Sequence, residues 1–227
     1  MEVDMGWLDF IFKKKDKAEF VQLYEEYSKE IIPAQRPISQ LSFIVLDTET
    51  TGLNPEKAEM VSFGAVKITR SKIQVESAKE HYFDTSAKNQ EALKVHGILY
   101  PQNPTKPEVF AKELLPFLHN HILVGHHIGF DLKVLGKFLA PFGLKKITNP
   151  VLDTQYLATR LEKGYHYDVG MGKPGEYTLD SLCERYGIQL DDRHTAAGDA
   201  FLTAQLLLKL LKKAEKIGIA DYRTLMR

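Results

Sequence analysis

One cysteine in 227 residues, Cys183, leaves nothing from which to build an internal disulfide or a thiolate metal cluster. Such a chain suits a reducing compartment, and Cys183, set in an apolar helical pattern, reads as a buried structural thiol rather than a nucleophile. Long apolar runs are missing as well: nothing approaches the roughly 20 residues of a membrane span. The string Met1 to Lys15 places its apolar patch ahead of its lysines, the reverse of the charge order in a secretory signal. A soluble cytoplasmic protein with no membrane partner is the expectation. Nor is there an excess of either charge, since 30 basic and 30 acidic residues cancel. That balance argues against coating nucleic acid by bulk electrostatics. It leaves room for a local basic surface beside a carboxylate-rich site.

What is present is an ordered alternation of periodicities. Phe20, Tyr24, Tyr27 and Ile31 recur at helical spacing, which predicts an amphipathic helix over 16–32 stopped by Pro33 and Pro37. Residues 1–40 therefore read as an N-terminal helical appendage and linker, 41–213 as the core domain, and 214–227 as a C-terminal tail. The run Phe43-Ile44-Val45-Leu46 predicts a buried strand. Met60 to Thr69 and Ile73 to Phe83 predict two more, meeting near Arg70-Ser71. Helices are predicted over 107–119, 130–142 (ended by Gly143), 154–161, 179–186 and 196–213. Short strands at Ile122 to Val124 and Pro150 to Leu152 complete the pattern, with Asp153 placed to cap the following helix. Three strands on short turns followed by alternating helices and strands imply an α/β domain, a mixed five-stranded sheet flanked by helices. The stretch 164–177, rich in glycine and aromatics, reads as an irregular surface loop.

Four acids and one imidazole stand at informative places in that framework. Asp47 and Glu49 close the first strand, and alternation points both to one face with Thr48 opposite. Two adjacent carboxylates at the end of an apolar strand repel each other, so the pair calls for a cation. Oxygen-only ligands favour Mg²⁺ or Mn²⁺ over zinc. Asp131 follows a short strand at the opening of the next helix, where α/β proteins place their sites. Asp199 lies in the first turn of the last long helix, with His194 on its approach. Such a set suits two-metal phosphodiester hydrolysis, with His194 as general base.

The motifs Asp47-Thr48-Glu49-Thr50-Thr51-Gly52-Leu53, His126 to Asp131, and His194-Thr195-Ala196-Ala197-Gly198-Asp199-Ala200 resemble, in order, those of the DnaQ-like DEDDh 3′ to 5′ exonucleases, the family that includes DNA polymerase III epsilon subunits. Val95-His96-Gly97-Ile98 and Thr178 to Cys183 are similar to epsilon-type sequences too. The likeness spans roughly residues 41 to 213. It implies an RNase H-like fold, two Mg²⁺ or Mn²⁺ ions held by Asp47, Glu49, Asp131 and Asp199, and His194 as the base. It further implies that Thr50, Thr51, Gly52, Leu53, His96 and Ile98 hold the terminal nucleotide. The substrate implied is the 3′ end of single-stranded or frayed DNA, cut to nucleoside 5′-monophosphates in proofreading or repair. RNA trimming is the alternative, as is service mainly as a docked subunit of a polymerase or replication complex. The sister class carries Tyr where Thr195 stands, and the family carries Asn where His127 stands.

Overall fold

The computed structural model describes residues 17–85, 103–167 and 172–227. Helix α1 (Glu19–Tyr27) precedes strands β1 (Ser42–Thr50), β2 (Met60–Thr69) and β3 (Lys72–Tyr82). Then come α2 (Pro107–Leu118), β4 (Ile122–Gly125), α3 (Gly129–Leu139), β5 (Val151–Asp153), α4 (Thr154–Lys163), α5 (Leu179–Arg185), α6 (Ala196–Lys216) and the short α7 (Tyr222–Leu225). The sheet runs β3-β2-β1-β4-β5. Its first three strands are antiparallel, and β4 and β5 lie parallel to β1. Arg70 and Ser71 join β2 to β3 as a two-residue turn, both at positive φ (52° and 56°). That sign pattern matches the right-handed twist of the strands it connects.

Strand alternation splits the interior into two cores. Phe43 and Val45 of β1, with Val66, Ile68 and Val124, face α4, α5 and α6. Ile44 and Leu46, with Phe63, Ala65 and Leu123, face α1, α2 and α3. β1 is thus covered on both sides, which is why its sequence is a continuous apolar run rather than an alternating one. Cys183 is fully buried in the first of these cores, and burial pushes its thiol up to about 11. Among the described residues no helix is long and apolar enough to cross a membrane.

Two predicted helices end early. The first stops at Tyr27 rather than Ile32, and Ile31 is 89% exposed. Tyr27 stacks on His119 at 4.4 Å between ring centroids, and His119 is where α2 ends, so no apolar surface remains for Ile31 to cover. Val21 takes the buried place instead, beside Tyr24. The helix predicted over 130–142 tightens after Leu139 into a 3₁₀ turn, Ala140–Phe142, because Pro141 has no N–H to continue the ladder. Gly143, at φ 91°, then reverses the chain as expected. Asp153 does cap α4, accepting from the Gln155 amide at 2.8 Å.

The flanks of the core meet each other. The amides of Ile38, Tyr222 and Arg223 donate to the carbonyls of Ala220, Arg36 and Ala34, and the buried Arg160 guanidinium donates to the Leu225 carbonyl at 2.9 Å. On the other side, Tyr24 donates to Asn149 Oδ1 at 2.6 Å and accepts from the Thr148 amide at 3.0 Å. Asn149 Nδ2 in turn donates to the carbonyls of Leu118, His119 and His121. The Tyr24 hydroxyl therefore ties α1 to the end of α2 and the segment before β5. Tyr24→Phe removes it and leaves Asn149 Oδ1 buried without a donor, which costs about 1–3 kcal/mol. Urea unfolding followed by circular dichroism should show a lower midpoint at an unchanged slope.

Candidate metal centre

β1 outruns its parallel neighbour. Its pairing with β4 covers Phe43 to Val45 only, while pairing with β2 continues to Thr50. Beyond Val45 the β4 side of β1 has no strand partner, and a carboxylate fills the gap. Asp131 Oδ1 accepts from the Thr48 amide at 2.9 Å and from Thr48 Oγ1 at 2.6 Å. Asp131 sits in the first turn of α3, on the Ile44 and Leu46 side of the sheet. Asp47 and Glu49 share the alternation phase of Phe43 and Val45, and so face α6.

The first turn of α6 reaches that face because β2 gives way. Gly64 pairs with Asp47 in the ladder, and a Cβ there would lie 2.2 Å from the Ala196 carbonyl carbon. No other residue fits without moving the helix. The approach is equally tight: Thr195 caps α6, accepting from the Gly198 amide at 3.0 Å and donating to the Asp192 carbonyl at 2.9 Å. A Cβ on Gly198 would meet that carbonyl at 2.0 Å. Asp199 follows in the first turn, where exposed helical N–H groups favour a negative charge.

Asp47, Glu49 and Asp199 each offer an oxygen, and the three oxygens lie within 4.8 Å of one another. Asp131 stands beside this trio rather than in it. Burial, then the charges of Asp131, Asp199 and Glu49, holds the Asp47 carboxyl well above its usual range. Burial and Asp199 push Glu49 up to about 7 against the pull of Arg193. Burial pushes Asp131 up to about 7 despite its bonds from Thr48. Carboxyl groups so reluctant to ionise lack positive charge, and an all-oxygen set of this spacing fits a hard divalent cation.

A protein cation already lies here. Arg193 Nε bonds Asp180 Oδ1 at 2.5 Å, and its Nη1 bonds Asp199 Oδ1. The guanidinium holds the Asp180 carboxyl below its usual value. His194, next in the chain, is exposed at φ 65° and makes no hydrogen bond among the described residues. His126 behaves oppositely. Its Nδ1 is 2.9 Å from Thr154 Oγ1, and burial lowers it to about 4, so it is neutral at physiological pH. His127 is exposed at φ 62°, a left-handed conformation in which Asn, Asp and His are enriched, so imidazole and amide are alternatives there.

The loop after β1 completes the surroundings. Thr50 Oγ1 donates to the Gly52 carbonyl at 2.9 Å, and Thr51 exchanges hydrogen bonds with Glu59. Leu53 projects almost wholly into solvent, 94% exposed, which excludes core packing as its reason. His96 and Ile98 lie outside the described residues. Sequence reasoning missed Gly64, Asp180 and Arg193. A glycine inside a strand is a usable signal of close backbone approach. Arg193 carried none that would separate it from a surface arginine.

An exonuclease family model matches residues 44–207. The DNA polymerase III epsilon subunit of Aquifex aeolicus is 30% identical over 189 residues, 82% of this chain and 89% of that protein. A PolC-type DNA polymerase III of Thermotoga maritima is 32% identical over 180 residues, 78% of this chain but only 12% of its own length. Among solved structures, E. coli exonuclease I in complex with a dT13 oligonucleotide superposes with a TM-score of 0.62 at 17% identity. The match covers 78% of this chain and 42% of that one. The likeness confirms an RNase H-like exonuclease fold.

Two outcomes follow from the electrostatics. Glu49 and Asp131 titrate near 7 when folded, against ordinary values of 4.5 and 3.8. Their contribution is therefore whole at low pH and lost as pH rises through about 7. In chelator the melting temperature should fall between about pH 4 and 7 and level off above that, and millimolar Mn²⁺ should restore it; a flat profile in chelator contradicts the assignment. Arg193→Gln should lower the melting temperature in chelator further. It should also tighten Mn²⁺ binding about tenfold by calorimetry, because the cation no longer competes with the guanidinium for Asp199.

Proposed function

The chain belongs to the exonuclease family, and on that footing we propose that it is a metal-dependent 3′ to 5′ exonuclease. Its substrate in this reading is the 3′ end of single-stranded or frayed DNA, released as nucleoside 5′-monophosphates. The observation that carries the proposal is the convergence of Asp47, Glu49 and Asp199 within 4.8 Å, beside Asp131. Residues 41–213 form the catalytic unit, with 1–40 and 214–227 as flanking segments. Proofreading or repair is the expected setting, and a polymerase or replication assembly the expected partner. The epsilon-type and PolC-type relatives support both.

Asp47, Glu49 and Asp199 would hold two Mg²⁺ or Mn²⁺ ions, with Asp131 completing the set. Bound there, such ions make water acidic enough to attack at neutral pH and neutralise charge on the leaving oxygen. The chain's own groups do the rest. His194 takes the proton of the attacking water, which an exposed imidazole with a free ring can accept and pass to solvent. Thr48 fixes the orientation of Asp131 through two hydrogen bonds to one oxygen, leaving the other for the site. Thr50 to Leu53, with His96 and Ile98, receive the terminal nucleotide, and the exposed Leu53 offers an apolar surface for a base face. Stacking of that kind is tolerant of sequence, as single-strand trimming requires.

The deciding assay is digestion of 5′-labelled single-stranded DNA, with an RNA of the same sequence alongside, in Mg²⁺ and in Mn²⁺. A ladder shortening from the 3′ end is expected, with DNA cut faster; intact DNA in both metals refutes the proposal. Asp47→Ala and Asp199→Ala should abolish hydrolysis. His194→Ala should keep Mn²⁺ binding by calorimetry while losing about 10²- to 10⁴-fold in rate.

A further inference from the structure

A cavity of about 530 Å³ opens on the flank of α3, and its lining includes Lys133, Lys137, Lys145 and Lys146 but no acid. In a chain whose charges balance, this is local segregation rather than a general basic character. Lys137 is committed elsewhere, donating to the carbonyls of Pro55, Glu56 and Ala58. Lys133, Lys145 and Lys146 form no ion pair among the described residues, and all three are exposed. Three uncompensated ammonium groups around one groove repel each other, and a polyanion relieves that repulsion.

The groove has a rigid floor and an unusual opening. Asn149 at its base is held by three carbonyls and by Tyr24. Gly136, midway along α3, also lines it, and a Cβ at that position would touch nothing within 4 Å. A mid-helix glycine costs up to about 1 kcal/mol relative to alanine, and no close packing requires it here. Its effect is to leave the helix backbone open to close approach from the groove.

The groove runs along the flank of the helix that carries Asp131. Asp131 occupies the first turn of α3, Lys133 follows two residues later, and Lys137 stands six residues on, about 9 Å along the axis. Lys133 lies about 200° around the helix from Asp131, so a chain leaving the carboxylates crosses the α3 N-terminus before it meets the lysines. Lysines are point charges without planar recognition, so they would grip phosphates whatever the bases. We infer that this groove holds the sugar-phosphate backbone of the single strand, on the 5′ side of the terminal nucleotide. The inference rests on the exonuclease reading above and extends it to the internal part of the substrate.

The test compares the full-length protein with a Lys133→Gln/Lys145→Gln/Lys146→Gln variant. Binding of a labelled thymidine oligonucleotide is measured by anisotropy in chelator over a range of salt. Turnover of the p-nitrophenyl ester of thymidine 5′-phosphate, too short to reach the groove, is measured with Mn²⁺. The variant should bind the oligonucleotide at least ~10-fold more weakly at low salt, with a salt slope shallower by about two, as three lost phosphate contacts require. Ester turnover and melting temperature should not change. Unaltered oligonucleotide binding and slope overturn the inference, and assign the lysines to another polyanion such as an acidic protein segment. Should neither protein cleave the ester, the exonuclease reading fails, while the binding comparison still decides the groove.

Discussion

Asp47, Glu49 and Asp199 are held close together with little water around them, and their mutual repulsion has to be met by positive charge from somewhere. The surrounding architecture can be understood as answers to that problem. Thr48 supplies two donors to Asp131, the α6 N-terminus supplies partial positive charge to Asp199, and Arg193 supplies a full cation. None of these removes the strain, since Asp47, Glu49 and Asp131 all stay shifted upward. The remaining deficit is one that a divalent cation would meet. A fully satisfied carboxylate cluster would be more stable and would bind metal less well.

The way the cluster is assembled depends on strand length. The pairing of β4 with β1 ends two residues short of Asp47, and the sheet there changes from parallel to antiparallel neighbours. Open α/β sheets leave a crevice at such a switch. Here the crevice is filled from both sides of β1, by α3 from one core and by α6 from the other. Four acids scattered from residue 47 to residue 199 therefore converge without any long or irregular loop among the described residues having to carry one of them.

Much of this was legible in advance because it rests on short-range rules. The strand parity that puts Asp47 and Glu49 together, the cap at Asp153 and the helix opening at Ala196 all follow from local pattern. The order of motifs then supplied what no single acid could. What escaped was set by neighbours distant in sequence. The end of α1 depends on where α2 runs out, and nothing between Tyr27 and Pro33 announces it. The role of Arg193 depends on Asp180 lying across a turn, and the separation of Asp131 from the closest trio depends on where β4 ends. Leu53 is the converse: the resemblance put it at the terminal nucleotide rather than in the core, and the fold leaves it in solvent.

Gly64 has a consequence that reaches beyond its own turn of chain. Because its missing side chain lets main-chain atoms of β2 and α6 touch, the gap between the acids of β1 and Asp199 is gauged by backbone against backbone. Rotamer changes in the layers around it have little leverage on that gauge. Wholesale drift of the interior can then proceed behind a fixed reference surface, and the chemistry at the end of the strand is insulated from the identity of almost everything that supports it.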